Sequence, residues 1–184
     1  MIWLMEILAG IILLVCLGFI AYWAVALIKG DCRFRMIKSR MTPFKVAAMD
    51  MNSVTLSYTI PIKNTGRQLG TIMDAFVRTY LPFEQYDHAR VSARLTDKDL
   101  PRDDDYWQAS IVEPGTMKTF LITLVITGKH GNILRDLDDF PDMPMDIMYQ
   151  IVGRSDYYYA KTRIILTRDE LQSAVYQYTQ EAGR

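Results

Sequence analysis

His88 and His130 are the only histidines in the chain, and so the only side chains whose ordinary charge change falls near neutral pH. Either residue type can serve as a general base or a metal ligand. Neither histidine has a second His or a Cys at metal-ligand spacing. There is no G-x-S-x-G elbow, no H-E-x-x-H helix and no P-loop, and Gly128-Lys129 lacks the preceding glycine of a phosphate cradle. The acidic stretches "TDKDLPRDDD" and "RDLDDFPDMPMD" gather the oxygen donors calcium takes. Both lack the central Gly and closing Glu of a calcium loop, which favours solvated loop charge. These residues therefore assign no catalytic group, metal ligand or cofactor.

Two other patches suit contact better than reaction. In "DYYYAKTR" an extended chain places Tyr157, Tyr159, Lys161 and Arg163 on one face, with Tyr158, Ala160, Ile164 and Leu166 on the other. Exposed aromatics among cations are common in interfaces, so the first face is a candidate partner-binding surface. The alternative is that Tyr157 and Tyr159 cover the sheet or pack under a C-terminal helix. The second patch is Lys29, Arg33, Arg35, Lys38 and Arg40, followed by Lys45 and opposed only by Asp31. Cations at this density suit an anionic membrane surface.

The element that would position this collar precedes it. "ILAGIILLVCLGFIAYWAVALI" (7–28) is 22 residues without a charge. As a helix it reaches about 33 Å, enough for a hydrocarbon core of about 30 Å. Trp3 and Tyr22-Trp23 stand near opposite ends, as interfacial aromatics do. A secretory leader would carry a basic start and a shorter apolar core, and Cys16 follows no small residue, as lipoprotein processing would need. The reading is a permanent single-pass anchor. Gly10 and Gly18 do not form a small-xxx-small pairing motif. The cationic collar favours a cytoplasmic domain, with an extracytoplasmic one (periplasm or cell envelope) as the alternative. From Val46 onward there are fifteen basic and nineteen acidic side chains, which gives no electrostatic footprint for nucleic acid. Both cysteines, Cys16 and Cys32, lie before that region, so it holds no disulfide framework.

Beyond a connector at 29–45, the pattern is mainly β. "SVTLSYTIPI" alternates strictly, and Pro61 must face an edge or a strand end because it has no N–H. "TIMDAFVRTYLP" places Met73, Ala75, Val77 and Leu81 on one face and Asp74 and Arg78 on the other. "ARVSARLTD", "DYWQASIVEPG" and "KTFLITLVITG" are further strands, and "MDIMYQIVGRSDYYYAKTRIILT" is a hairpin turning at Gly153-Arg154-Ser155-Asp156. "GNILRDLDDF" predicts a short helix. A longer one is predicted over 168–181, with Thr167 and Glu170 at capping-box spacing and a Leu171, Ala174, Val175, Tyr178 stripe. Strands at this spacing without intervening helices predict an antiparallel sandwich over 46–184, with Trp107 and Phe120 between its sheets.

The strand ending "IPIKNTG", the following "GTIMDAFVRTYLP" and the "EPG" turn into a long amphipathic strand resemble a fibronectin type III-like, immunoglobulin-like sandwich. The nearest resemblance is to the LEA14 (WHy) group, over roughly 46–166. That group shows Asn-Pro where this chain has Asn64-Thr65. The resemblance implies a non-catalytic domain. The expected function is thus a membrane-anchored binding or scaffolding module, with the bilayer and a protein as partners. A domain handling lipid or an apolar ligand between its sheets is the alternative. An enzyme is a third reading, and it would need a nucleophile within reach of His88 or His130.

Overall fold

The computed structural model describes residues 2–104, 106–154 and 156–182, with the side chains of Ile2 and Lys29 outside the description. The Lys29 assignment and the Ser155 turn position therefore lie outside the described part. The fold is mainly β: a long apolar helix, two antiparallel sheets facing each other and a C-terminal helix. The first sheet runs β1 (Phe34–Met36), β3 (Ser53–Asn64), β7 (Met117–Gly128), β5 (Ala89–Asp97), with β2 (Lys45–Met49) also on β3. The second runs β6 (Ser110–Val112), β4 (Gly70–Thr79), β8 (Met143–Val152), β9 (Tyr158–Leu166). Helix α1 is Ile2–Lys29, α2 is Ile133–Asp136 and α3 is Arg168–Ala182.

Period-two alternation builds the core. Val54, Leu56, Tyr58, Ile60 and Ile62 of β3 meet Phe120, Ile122, Leu124 and Ile126 of β7, and across them lie Met143, Met145, Ile147, Tyr149 and Ile151 of β8. Phe120 is wholly buried with Trp107 edge-on at 5.1 Å, and the Trp107 indole N–H donates to Ile72 O at 3.0 Å. Burying such rings removes the largest apolar areas a side chain offers. Pro61 sits where β1 has ended along β3 and β2 has not begun. Its carbonyl accepts from Ile37 on that side, so its missing N–H faces the gap between the two. The Thr167–Glu170 capping box forms, with Thr167 N donating to Glu170 Oε2 at 3.1 Å and Glu170 N to Thr167 Oγ1 at 3.3 Å. Leu171 and Ala174 then bury the inner stripe of α3, which packs toward β2.

Three expectations need correction. The stretch 29–45 is not a plain connector: it carries β1, a 3-10 turn at Lys38–Arg40 and the start of β2, with Cys32, Phe34, Met36 and Phe44 in the core. Met73 does not face inward, because the β4–β8 register shifts between Ile72 and Asp74 and turns it out. Tyr158 is only part covered and stands at the sandwich side, where its hydroxyl accepts from Phe34 N at 3.4 Å.

The helix stretch Trp3–Ile28 is long and apolar enough to cross a membrane, and nearly all its side chains stand exposed. It ends at Gly30, whose φ of 66° is a left-handed conformation that favours glycine, with its N–H returned to Leu27 O. Two arginines from distant loops cap the helix carbonyls: Arg154 donates to Ala26 O at 2.8 Å and Arg67 to Ile28 O at 3.3 Å. Both put positive charge at the negative end of the helix. The chain then threads between the β3–β4 turn and the β8–β9 hairpin through space left by glycines. A Cβ on Gly66 would lie 2.6 Å from Cys32 Cα, and one on Gly70 or Gly153 would lie 2.8 or 2.6 Å from Cys32 Sγ. Asp31 Oδ1 accepts from Cys32 N at 2.7 Å and Arg154 N at 2.9 Å, so the helix-to-sandwich junction is a clamped one.

Candidate functional site

The outer face of the second sheet holds the tyrosine patch. Register puts Arg78, Asp146 and Arg163 in one row across β4, β8 and β9, and Phe76, Met148 and Lys161 in the next. Asp146 is only 1% exposed despite facing outward, because its neighbours close over it. Arg163 grips it through Nε at 2.8 Å and a second guanidinium nitrogen at 3.1 Å, Lys161 Nζ lies 3.6 Å away, and Tyr80 donates its hydroxyl at 3.2 Å. The Arg163 hydrogen bonds outweigh the upward push of burial and hold the Asp146 carboxyl at about 2. Both Arg78 and Arg163 lie 5.7 Å from the Tyr80 ring centre, within cation–π range. Tyr157 and Tyr159 stand edge-to-face at 5.9 Å, each 62% exposed. They neither cover the sheet nor pack under α3.

The basic collar splits in two. Arg33 and Arg35 point outward from the β1 segment, while Lys38 reaches across the sandwich side and donates to Arg163 O at 2.6 Å. Arg40 turns toward Met117 Sδ at 3.7 Å. The two patches, read separately in the sequence, are therefore brought together over 125 positions of chain. Beside them runs a groove of about 700 Å³ between β1 and β9, lined by Arg35, Lys38, Lys63, Thr65, Tyr149 and Thr162. Sequence reasoning missed Lys63, Asp146, Tyr80, Arg67 and Arg154. Of these, only Asp146 carried a signal, as a lone charge inside the apolar run "MPMDIMYQIV".

The histidines lie together near α2, with ring centres 5.4 Å apart. His130 is committed to Asp136: its ring Nδ1 lies 2.8 Å from Oδ1 and its backbone N–H donates to Oδ2 at 3.0 Å. Burial raises the Asp136 carboxyl, but the His130 backbone and ring bonds outweigh it and leave the group below its ordinary value. Tyr86 is pushed up to about 12 by burial first and by the nearby Asp136 and Asp139 charges. Among the described residues, no hydroxyl or thiol hydrogen-bonds either histidine ring, and no group of three or more His, Cys, Asp or Glu gathers as metal ligands would.

No family model matches the chain, and no curated protein matches it. Among solved structures, a protein assigned as ApaA from Bordetella pertussis aligns at TM-score 0.42 and 14% identity, over 74% of this chain and 94% of that one. The yeast GGA1 GAE domain aligns at 0.37 and 10% identity, over 72% and 90%. The GAE domain of GGA2p from Saccharomyces cerevisiae aligns at 0.36 and 7% identity, over 74% and 98%. These are distant β-sandwich matches without family-level identity, and nothing about function passes from them to this chain.

Proposed function

We propose that the protein is a single-pass membrane-anchored β-sandwich that acts as a non-catalytic binding or scaffolding module for a membrane or cell-envelope protein. The observation that carries this reading is the outer face of β4, β8 and β9. Exposed Tyr157 and Tyr159 stand beside cations that a buried carboxylate holds in place, so the face is ordered before any partner arrives. Apolar residues Phe76 and Ile165 extend the same face. Aromatic and guanidinium groups held rigidly are the side chains that dominate protein interfaces. Binding over lipid handling is supported by the wholly buried side chains that fill the space between the sheets. The anchor reading rests on the length and apolarity of α1 and on the cations that cap it.

The collar favours a cytoplasmic sandwich. Cys32 cannot report sidedness, since it is buried. Met51, in the exposed β2–β3 turn, can. In a Cys16→Ser, Met51→Cys protein the chain should resist alkaline carbonate extraction, and an impermeant maleimide should label position 51 only after lysis. Labelling on intact cells would place the sandwich outside, and carbonate release would sink the anchor reading.

A further inference from the structure

We infer that the groove beside β1 is a binding site for the phosphate headgroup of an anionic phospholipid. Arg35 and Lys63 face each other directly across β1 and β3. Like charges at opposed positions of an antiparallel pair are destabilising. Neither has a carboxylate partner among the described residues, and Arg33, Lys38 and Arg40 beside them have none either. Other cations are matched, Lys129 by Asp87, Arg102 by Asp104 and Arg168 by Asp139, and isolated ones such as Arg90 stand apart from any like-charged row. The β1 corner is thus a concentration of positive charge around a groove that no carboxylate among the described residues lines. A phosphate accepts from several cations at once and resolves the opposed pair. Thr65 and Thr162 line the same groove and keep its walls polar.

The geometry favours lipid over an acidic peptide. A peptide would enter such a cleft by adding a strand to β1 or β9, using free backbone groups on their edges. Here the Arg163 carbonyl is taken by Lys38, and the Phe34 N–H by the Tyr158 hydroxyl. The corner is also continuous with the end of α1: Arg33 follows the helix by a few residues, and Arg67 and Arg154 hold its last carbonyls. Naming the membrane as the source of the headgroup rests on the anchored reading above.

The test uses the full chain in a zwitterionic detergent, titrated with dihexanoyl phosphatidylglycerol, dihexanoyl phosphatidylcholine, inorganic phosphate and poly-glutamate, with occupancy read by native mass spectrometry. Phosphatidylglycerol should bind and phosphatidylcholine should not. Arg35→Gln or Lys63→Gln should each weaken binding about fivefold, and the pair about thirtyfold, while Arg90→Gln on the far edge should leave it unchanged. Without lipid, Lys63→Gln should melt at or above the parent, because it relieves repulsion, so lost binding cannot be blamed on unfolding. Equal binding of phosphatidylcholine, full occupancy by inorganic phosphate at the same concentration, tighter binding of poly-glutamate, or undiminished binding by the double variant would each overturn the inference. Carbonate extraction of the same proteins reports separately: release from membranes with phosphatidylglycerol binding intact sinks the anchor, and the reverse sinks the groove.

Discussion

Gly153→Ala is the sharpest probe of how the helix is joined to the sandwich. Gly153 is not among the glycines with positive φ, so an added methyl carries no backbone penalty and acts through packing alone. That methyl would stand closest to Asp31 Oδ1, then 2.6 Å from Cys32 Sγ and 3.1 Å from Asp31 Cγ. Ordinary carbon contacts lie at about 3.5–4.0 Å, so Cys32 or the hairpin must move by roughly 1 Å. Cys32 has little freedom to do so: it is buried, and its backbone N–H is held by Asp31. Overpacking of this kind costs about 1–3 kcal/mol. For a chain of this size the melting temperature should fall by about 2–12 °C. The assay is thermal unfolding of the full chain in detergent, followed by tryptophan fluorescence. Gly18→Ala serves as control, since nothing lies within 4 Å of a Cβ there. Adding Cys32→Ala to Gly153→Ala should recover only part of the loss, a partial non-additivity, because the Asp31 carboxylate still stands against the new methyl. A Gly153→Ala protein melting within about 1 °C of the parent would show that the chain leaving α1 does not pass this hairpin.

Other outcomes follow from the same geometry. Phe120→Ala should cost about 3–5 kcal/mol by denaturant unfolding, because its ring is wholly buried against Trp107; an unchanged midpoint would mean that the inner face is misassigned. Asp146 has a folded pKa near 2 against an ordinary 3.8, so its contribution is present above about pH 4 and is lost as pH falls through 2. Asp146→Asn should therefore lower stability at neutral pH and flatten the stability-versus-pH curve below pH 4; a curve parallel to the parent's would show the pairing is not made. Burial, then the Asp31 charge, raises the Cys32 thiol, so maleimide should label it only after denaturation, and rapid labelling of the folded chain would contradict the clamp.

The sandwich was readable where one face is wet and the other buried. β7 alternates from Thr119 to Ile126, β3 alternates except at Pro61, which is buried on the outer side, and the capping box at Thr167 announced α3. β1 carried the same signal in "CRFRM", with Cys32, Phe34 and Met36 inward and Arg33 and Arg35 outward. It was hidden because a cation run after an apolar helix also reads as a membrane collar. The Met73 bulge was not readable, since a register shift depends on the partner strand. Nor was the candidate site. The meeting of Lys38 with Arg163, the opposed Arg35 and Lys63, and the capping of α1 by Arg67 and Arg154 are contacts between distant loops and edges. No local spacing encodes them. Asp146 alone, a carboxylate inside an apolar strand, signalled that something must pair with it.

The proposed function puts a protein partner on the outer face of β4, β8 and β9. Site-specific photocrosslinking in native membranes tests it most directly, with a benzophenone amino acid placed at Tyr159, or at Thr123 on the outer face of the other sheet. A discrete protein adduct is expected from position 159, lost when Lys161 and Arg163 are replaced by Gln, and none from position 123. Identical adduct patterns from both positions, or no adduct from 159 in membranes where the chain is intact and inserted, would contradict it.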